Sequence, residues 1–154
     1  MQNKTVAFIF IIFVFFLPSI SVLAGDDVYH KIIDDFMARV KKGESTEAID
    51  FLYSGNPWIS NKSDSIINLK NKFKNLTELV GQYNSHECLH EKVVAGRFAY
   101  VFYFVAYDRQ PLKFIFEFYK PKNDWMIYSF AFNGELEDDI EKSALGEMFK
   151  QNTK

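Results

Sequence analysis

Cysteine is all but missing from this chain: Cys88 is the only one in 154 residues. No intramolecular disulfide can form, so the fold must rest on an apolar core without covalent staples. A single thiol also leaves no pair for redox exchange and no cysteine cluster for a metal. In an oxidising compartment such a thiol is expected to be buried and inert. An excess of one charge sign is missing too. Eighteen basic residues stand against 20 acidic ones, for a formal net charge of −2, and the signs are interspersed. Without a basic patch or stripe, nucleic acid is not an expected partner. Four prolines and seven glycines form neither a low-complexity segment nor a phosphate-cradling loop. There is no internal repeat and no linker long enough to divide the chain. One domain is expected, with no cofactor.

The long hydrophobic run that is present sits at the start. Val6 to Leu17 reads VAFIFIIFVFFL after a single Lys4, and Pro18 with two serines leads to Val22-Leu23-Ala24. A short basic start, an apolar stretch and a small-residue cleavage site form a secretory leader. Cleavage after Ala24 leaves a mature chain, 25–154, that is exported to the periplasm or secreted. It carries 17 basic and 20 acidic residues, a net charge of −3. Kept uncleaved, Val6–Ala24 is close to the ~20 residues that span a bilayer, and the protein is then membrane-anchored.

The mature chain divides into a helical first half and a stranded second half, the pattern of an α+β fold. A helix is expected over about Asp27–Lys42, with Val28, Ile32, Phe36 and Val40 on one stripe and Ile33 beside them. A short helix follows over Thr46–Tyr53 with Ser45 as N-cap. A third covers Ser63–Val80, its apolar face carried by Ile66, Leu69, Phe73, Leu76 and Val80. Four strands are then expected, over Tyr83–Ala95, Phe98–Tyr107, Leu112–Lys120 and Trp125–Phe132. A last amphipathic helix covers 135–149, through Leu136, Ile140, Ala144 and Met148.

Pairing Tyr119 with Trp125 across a five-residue turn sorts the last hairpin into two faces. Leu112, Phe114, Phe116 and Phe118 then share the helix-facing side with Met126, Tyr128, Phe130 and Phe132. Lys113, Ile115, Glu117, Tyr119, Trp125, Ile127, Ser129 and Ala131 fall on the other. Burial pins such a register, because a one-residue slip mixes the two sets.

The segment YDRQPLKFIFEFYKPKNDWMIYSFAF, Tyr107 to Phe132, resembles the strand–turn–strand of small exported bacterial members of the nuclear-transport-factor-2-like (NTF2-like) superfamily. In these a Pro-Leu strand ends in Tyr-Lys-Pro and a Trp opens the next strand. At the level of element order the resemblance covers most of the mature chain. It implies N-terminal helices packed on a curved four-stranded antiparallel sheet, a cone with a pocket between the layers, and dimers through the outer side of the sheet. The chain departs from the family in showing no early strand pair between its second and third helices, and in its additional C-terminal helix. Members include isomerases, dehydratases, ligand binders and secretion-machine subunits, so the fold does not choose an activity.

Such a cone pocket would be lined by Tyr100, Phe102, Phe116 and Tyr128 and would take a small apolar ligand. Tyr128 could polarise a carbonyl; its bland role is a core tyrosine whose hydroxyl reaches the rim. Glu91 depends on the first turn. A two-residue Gly96-Arg97 turn sets Glu91 opposite Phe102 and turns Glu87 and Glu91 towards the helices, where a carboxylate could act as a base. A three-residue turn brings Cys88 and His90 inward instead. The bland role of these charges is to protect an edge strand from aggregation. His86, Cys88 and His90 alternate along the strand and could share a face for zinc, but no carboxylate pattern supports a metal centre, and none is expected. His30 and Asp34 form a helical i,i+4 pair, expected as a surface ion pair. Ile115, Tyr119, Trp125 and Ile127 make a mixed aromatic patch on the outer face, suited to a homodimer. The leading expectation is an exported ligand-binding or protein-interaction domain without a catalytic site. The alternatives are an anchored subunit of an envelope assembly and a small isomerase or hydrolase using Glu91 or Tyr128.

Overall fold

The computed structural model describes residues 27–136. The expected leader (1–24) and all but the first two residues of the expected last helix (135–149) lie outside the described residues. Three helices precede four strands: α1 (Asp27–Lys41), α2 (Ser45–Ser54), α3 (Asp64–Val80), β1 (Tyr83–Val94), β2 (Phe98–Tyr107), β3 (Leu112–Tyr119) and β4 (Met126–Asn133). The strands form one antiparallel sheet in the order β1-β2-β3-β4. The fold class is therefore α+β, helices first and sheet second.

The core lies between the helices and one face of the sheet, and aromatic rings fill it. Phe36 of α1 stands 5.8 Å from Phe73 of α3 and within 5.0–6.2 Å of Phe114, Phe116 and Phe130 from the sheet. Edge-on and tilted contacts of this kind add to the gain from burying each ring. The buried stripe of α1 is Tyr29, Ile33, Phe36, Met37 and Val40, while Val28 is exposed. A strict spacing of four drifts around a helix of 3.6 residues per turn, so the face that meets the sheet shifts by one position at the N-terminal end. Ser45 lies inside α2 and does not cap it; its Oγ is 2.9 Å from Thr77 Oγ1 on α3.

Strand register departs from strict alternation at three bulges. Asn84 and Leu89 have no partner in the β1–β2 ladder, and Tyr128 has none in the β3–β4 ladder. Each extra residue flips the faces of whatever follows it. The inner set of β3 is the expected Leu112, Phe114, Phe116 and Phe118, all fully buried. On β4 the inner residues are Ile127 and Phe130, with Phe132 partly buried beside them. Phe114 pairs with Phe132 where Phe130 was expected, and Tyr119 pairs with Met126 where Trp125 was expected.

Candidate functional site

The turn between β1 and β2 has three residues, Ala95-Gly96-Arg97, because Val94 pairs with Phe98. Ala95 and Gly96 both take positive φ there. That turn sets Glu91 opposite Val101 and Val93 opposite Ala99, on the helix-facing side. A three-residue turn was expected to bring Cys88 and His90 inward, on the premise that Phe102 faces the helices. Phe102 faces out instead and His90 opposite it does too, while the bulge at Leu89 turns Cys88 and His86 inward along with Glu91. His86, Cys88 and His90 therefore do not share a face. Among the described residues no group of three or more His, Cys, Asp or Glu is placed to hold a metal ion.

A polar seam results where α1 crosses β1. The Tyr29 hydroxyl donates to Glu91 Oε1. His30 Nε2 lies 3.3 Å from Glu91 Oε2, with both side chains about a third exposed (35% and 31%). His30 thus meets Glu91 instead of forming the expected surface pair with Asp34. Deeper along the strand, Tyr83 hydroxyl and His86 Nδ1 are hydrogen-bonded, and the His86 ring is 5.5 Å from that of Tyr103. Burial pulls the His86 imidazole below its ordinary value, against the pull of Asp34. Burial pushes Tyr103 up to about 12, helped by nearby Cys88, Asp34 and Glu91. Cys88 is exposed, contrary to expectation, because an edge strand is only partly covered by α1. Partial burial and then the Glu91 carboxylate raise its thiol pKa above the ordinary value.

The remaining candidates separate across the sheet. Tyr100 and Phe102 pair with Glu117 and Ile115 on the outer face, half-buried, whereas Phe116 is in the core. Tyr128, pushed out by its own bulge, is 59% exposed and stands on the face opposite Glu91. These four residues do not converge on one pocket. Of the expected outer patch, Ile115 and Tyr119 are where they were placed. Trp125 and Ile127 are buried on the helix side, Trp125 with its ring 5.0 Å from Tyr29 and edge-on to it. Their misplacement has one cause, the bulge at Tyr128 together with a turn one residue longer than supposed.

Two clefts open at opposite ends of the domain. One, of about 820 Å³, lies among the C-terminal ends of α1 and α3, the start of α2 and the β2–β3 turn. Its walls carry both charge signs, including Lys41, Lys42, Glu47 and Asp108. Much of that charge is already engaged: Arg109 donates to Leu79 O at 2.7 Å, and Asp108 accepts from the Gln82 N–H at 2.9 Å. Tyr107 forms part of its wall, and burial raises the pKa of its phenol. The second, of about 300 Å³, is an apolar groove between the α2–α3 loop and the β3–β4 hairpin. Trp58, Ile59, Tyr119, Pro121, Met126 and Tyr128 form most of its lining. Neither cleft includes Glu91 in its walls.

Sequence patterning had not marked Trp58 or Asn56. Asn56 is buried, donates from Nδ2 to Ile127 O at 2.7 Å, and accepts from the Trp58 N–H at 2.9 Å. An Asn-Pro turn reads as a helix stop, and nothing in that signal says that the amide reaches across to a strand 71 residues later.

Comparison with protein-family models, with curated proteins and with solved structures finds no match to this chain.

Proposed function

We propose that the chain is an exported, non-catalytic interaction domain of NTF2-like type that pairs with a second copy through the outer face of its sheet. The observation that carries this reading is the composition of that face. Phe98, Tyr100, Phe102 and Phe104 line β2, with Ile115 opposite Phe102, all half-buried on the side away from the helices. Lys92 and Glu117 flank Tyr100 from either side, and Glu87 and Lys113 flank Phe104. Both charge signs around an aromatic centre suit a two-fold contact, in which each cation of one copy can meet an anion of the other. The Lys113 ammonium lies 5.9 Å from the Phe102 ring, so its charge sits over the aromatic surface.

The opposite face supports binding at surfaces in preference to a cone pocket, since rings from α1, α3 and the sheet occupy the space between the layers. Sedimentation equilibrium of the chain from Gly25 tests the proposal. The expected result is a dimer that Phe102→Glu converts to monomer while the circular dichroism spectrum is kept. A monomer at about 100 µM would overturn it. Mass spectrometry of the protein recovered from its host reads export directly: loss of the first 24 residues is expected, and an intact N-terminus contradicts cleavage.

A further inference from the structure

The end of the domain that carries the β1–β2 and β3–β4 turns presents a second surface, which meets the outer sheet face at Phe98 and Lys92. Trp58 is 84% exposed, yet it is not on a loose tip, because Asn56 bonds both the Trp58 N–H and the β4 backbone. Displaying an indole in water on a pinned loop forgoes the gain from burying it. Tyr119 and Tyr128, also exposed, share the apolar groove with Trp58, and no charged side chain lines that groove. The apolar surface continues through Phe98, whose ring is 6.0 Å from Tyr128 and which pairs with Tyr119 and with exposed Val94.

Cations lie at this end too. The Arg97 guanidinium donates to Pro121 O at 2.9 Å, tying the two turns together; Lys122 is on the β3–β4 turn, Lys120 starts that turn with its ammonium 4.9 Å from the Trp125 ring, and Lys92 is near the end of β1. Asp124 is the acidic residue of the β3–β4 turn. The direction of the chain adds a third observation. Tyr29, in the first turn of α1, packs on Trp125 and Phe118, so the polypeptide enters the domain at this same end. Only residues 18–26 separate Asp27 from the apolar run Val6–Leu17. Nine residues reach at most about 30 Å.

From these we infer that this end of the domain is a docking surface for an anionic lipid bilayer. Indole and phenol rings settle at the headgroup level, where they bury their bodies and keep their polar tips wet. Lysine and arginine around them reach the phosphates, and each adds to the attraction of an anionic surface. No helix among the described residues is long and apolar enough to cross a membrane. The docking operates with the leader removed; with the leader retained, the short connection turns the same end towards the bilayer. A protein ligand for the groove is the competing occupant, but it leaves the cations at this end without a role.

The experiment is flotation of the chain from Gly25, which contains the whole core between Tyr29 and Phe130, with phosphatidylglycerol-containing vesicles and with pure phosphatidylcholine vesicles. Binding to the anionic vesicles is expected, falling with added salt, with a blue shift from Trp58, since Trp125 is already buried. Trp58→Ala should lower the partition about tenfold or more. Lys120→Gln with Lys122→Gln should lower it roughly thirtyfold at low salt, about fivefold per cation. No flotation, equal flotation on both lipids, or flotation that neither variant weakens would overturn the inference. Sedimentation in lipid-free buffer reads self-association separately, so either proposal can fail while the other stands.

Discussion

Replacing Asn56 by alanine should cost far more than a change in a surface loop ordinarily does. Asn56 is 7% exposed and makes two bonds with unlike roles. Its Nδ2 donates to Ile127 O at 2.7 Å, beside the bulged Tyr128 where the β3–β4 ladder is interrupted. Its Oδ1 holds the Trp58 N–H. Ile127 is itself buried, on the wall of the apolar groove, so removing the amide takes that donor from its carbonyl amid mostly apolar neighbours. Stranding such a group costs about 1–3 kcal/mol, and the lost bond to Trp58 adds about 1. The sum, about 2–4 kcal/mol, is a large share of a typical domain stability of ~5–15.

Urea unfolding followed by fluorescence measures it. With a slope of ~2 kcal/mol/M, mid-range for a small domain, the midpoint should fall by about 1–2 M at unchanged slope. Asn56→Asp sharpens the test. It keeps the acceptor for Trp58 but turns a carboxylate towards the Ile127 carbonyl. It should therefore be as costly as alanine at pH 7 and recover in acid, where the protonated carboxyl can donate. A midpoint shift under about 0.3 M for alanine, or an Asp variant indifferent to pH, would refute the view that this amide pins the loop.

Phe36→Ala removes a ring that touches Phe73, Phe114, Phe116 and Phe130; it should lose about 3–5 kcal/mol in the same assay. Gly81 and Gly96 make a contrasting pair. At Gly81, with φ +93°, an added Cβ would lie 2.9 Å from Asp108 Cβ and disturb the carboxylate that holds the Gln82 N–H, so Gly81→Ala should cost about 1–3 kcal/mol. Gly96, at φ +62°, has open space around it, and Gly96→Ala should cost only the ~1 kcal/mol of a left-handed residue. For His86, burial lowers the folded-state pKa below the ordinary 6.5. The unfolded chain then binds more protons in that window, and stability is present above pH 6.5 and lost as pH falls through the folded value. The fall in urea midpoint between pH 8 and pH 5 should be smaller in His86→Gln than in the native chain; equal falls would show that His86 is not the titrating group.

How much of this was legible beforehand depends on the range of the signal. Helix and strand existence was legible across the described residues, because periodicity and turn residues are local. The inner set of β3 was legible because Leu112, Phe114, Phe116 and Phe118 leave one apolar face and no competitor. β4 was not, since MIYSFAF offers apolar residues at both parities. Burial cannot choose between registers there, and the bulge at Tyr128 resolves the choice through a bond from Asn56, 71 positions earlier. Glu91 could be assigned to the helix side only under the two-residue turn. The actual turn has three residues, and it still faces inward. Its partner Tyr29 was hidden, since a stripe drawn through Val28 leaves the neighbouring position outside it.

The same bulges that defeated simple alternation also decide what the molecule can offer to a partner. Without an extra residue at Tyr128, strict alternation would keep a phenol in the core and leave Ile127 on the outer sheet face. With it, Ile127 seals the core, and Tyr128 joins Tyr119 and Trp58 at one end. Without one at Leu89, strict alternation would set Cys88 and Glu91 on opposite faces. With it, both face α1, and Glu91 takes up the Tyr29 hydroxyl and the His30 imidazole at the point where the chain enters the domain. The carboxylate that could have served as a base is thereby spent on fixing the first turn of α1. Chemistry is drawn inward and tied off, and rings are driven outward and held in place. That division is what the proposed surface-binding role would use.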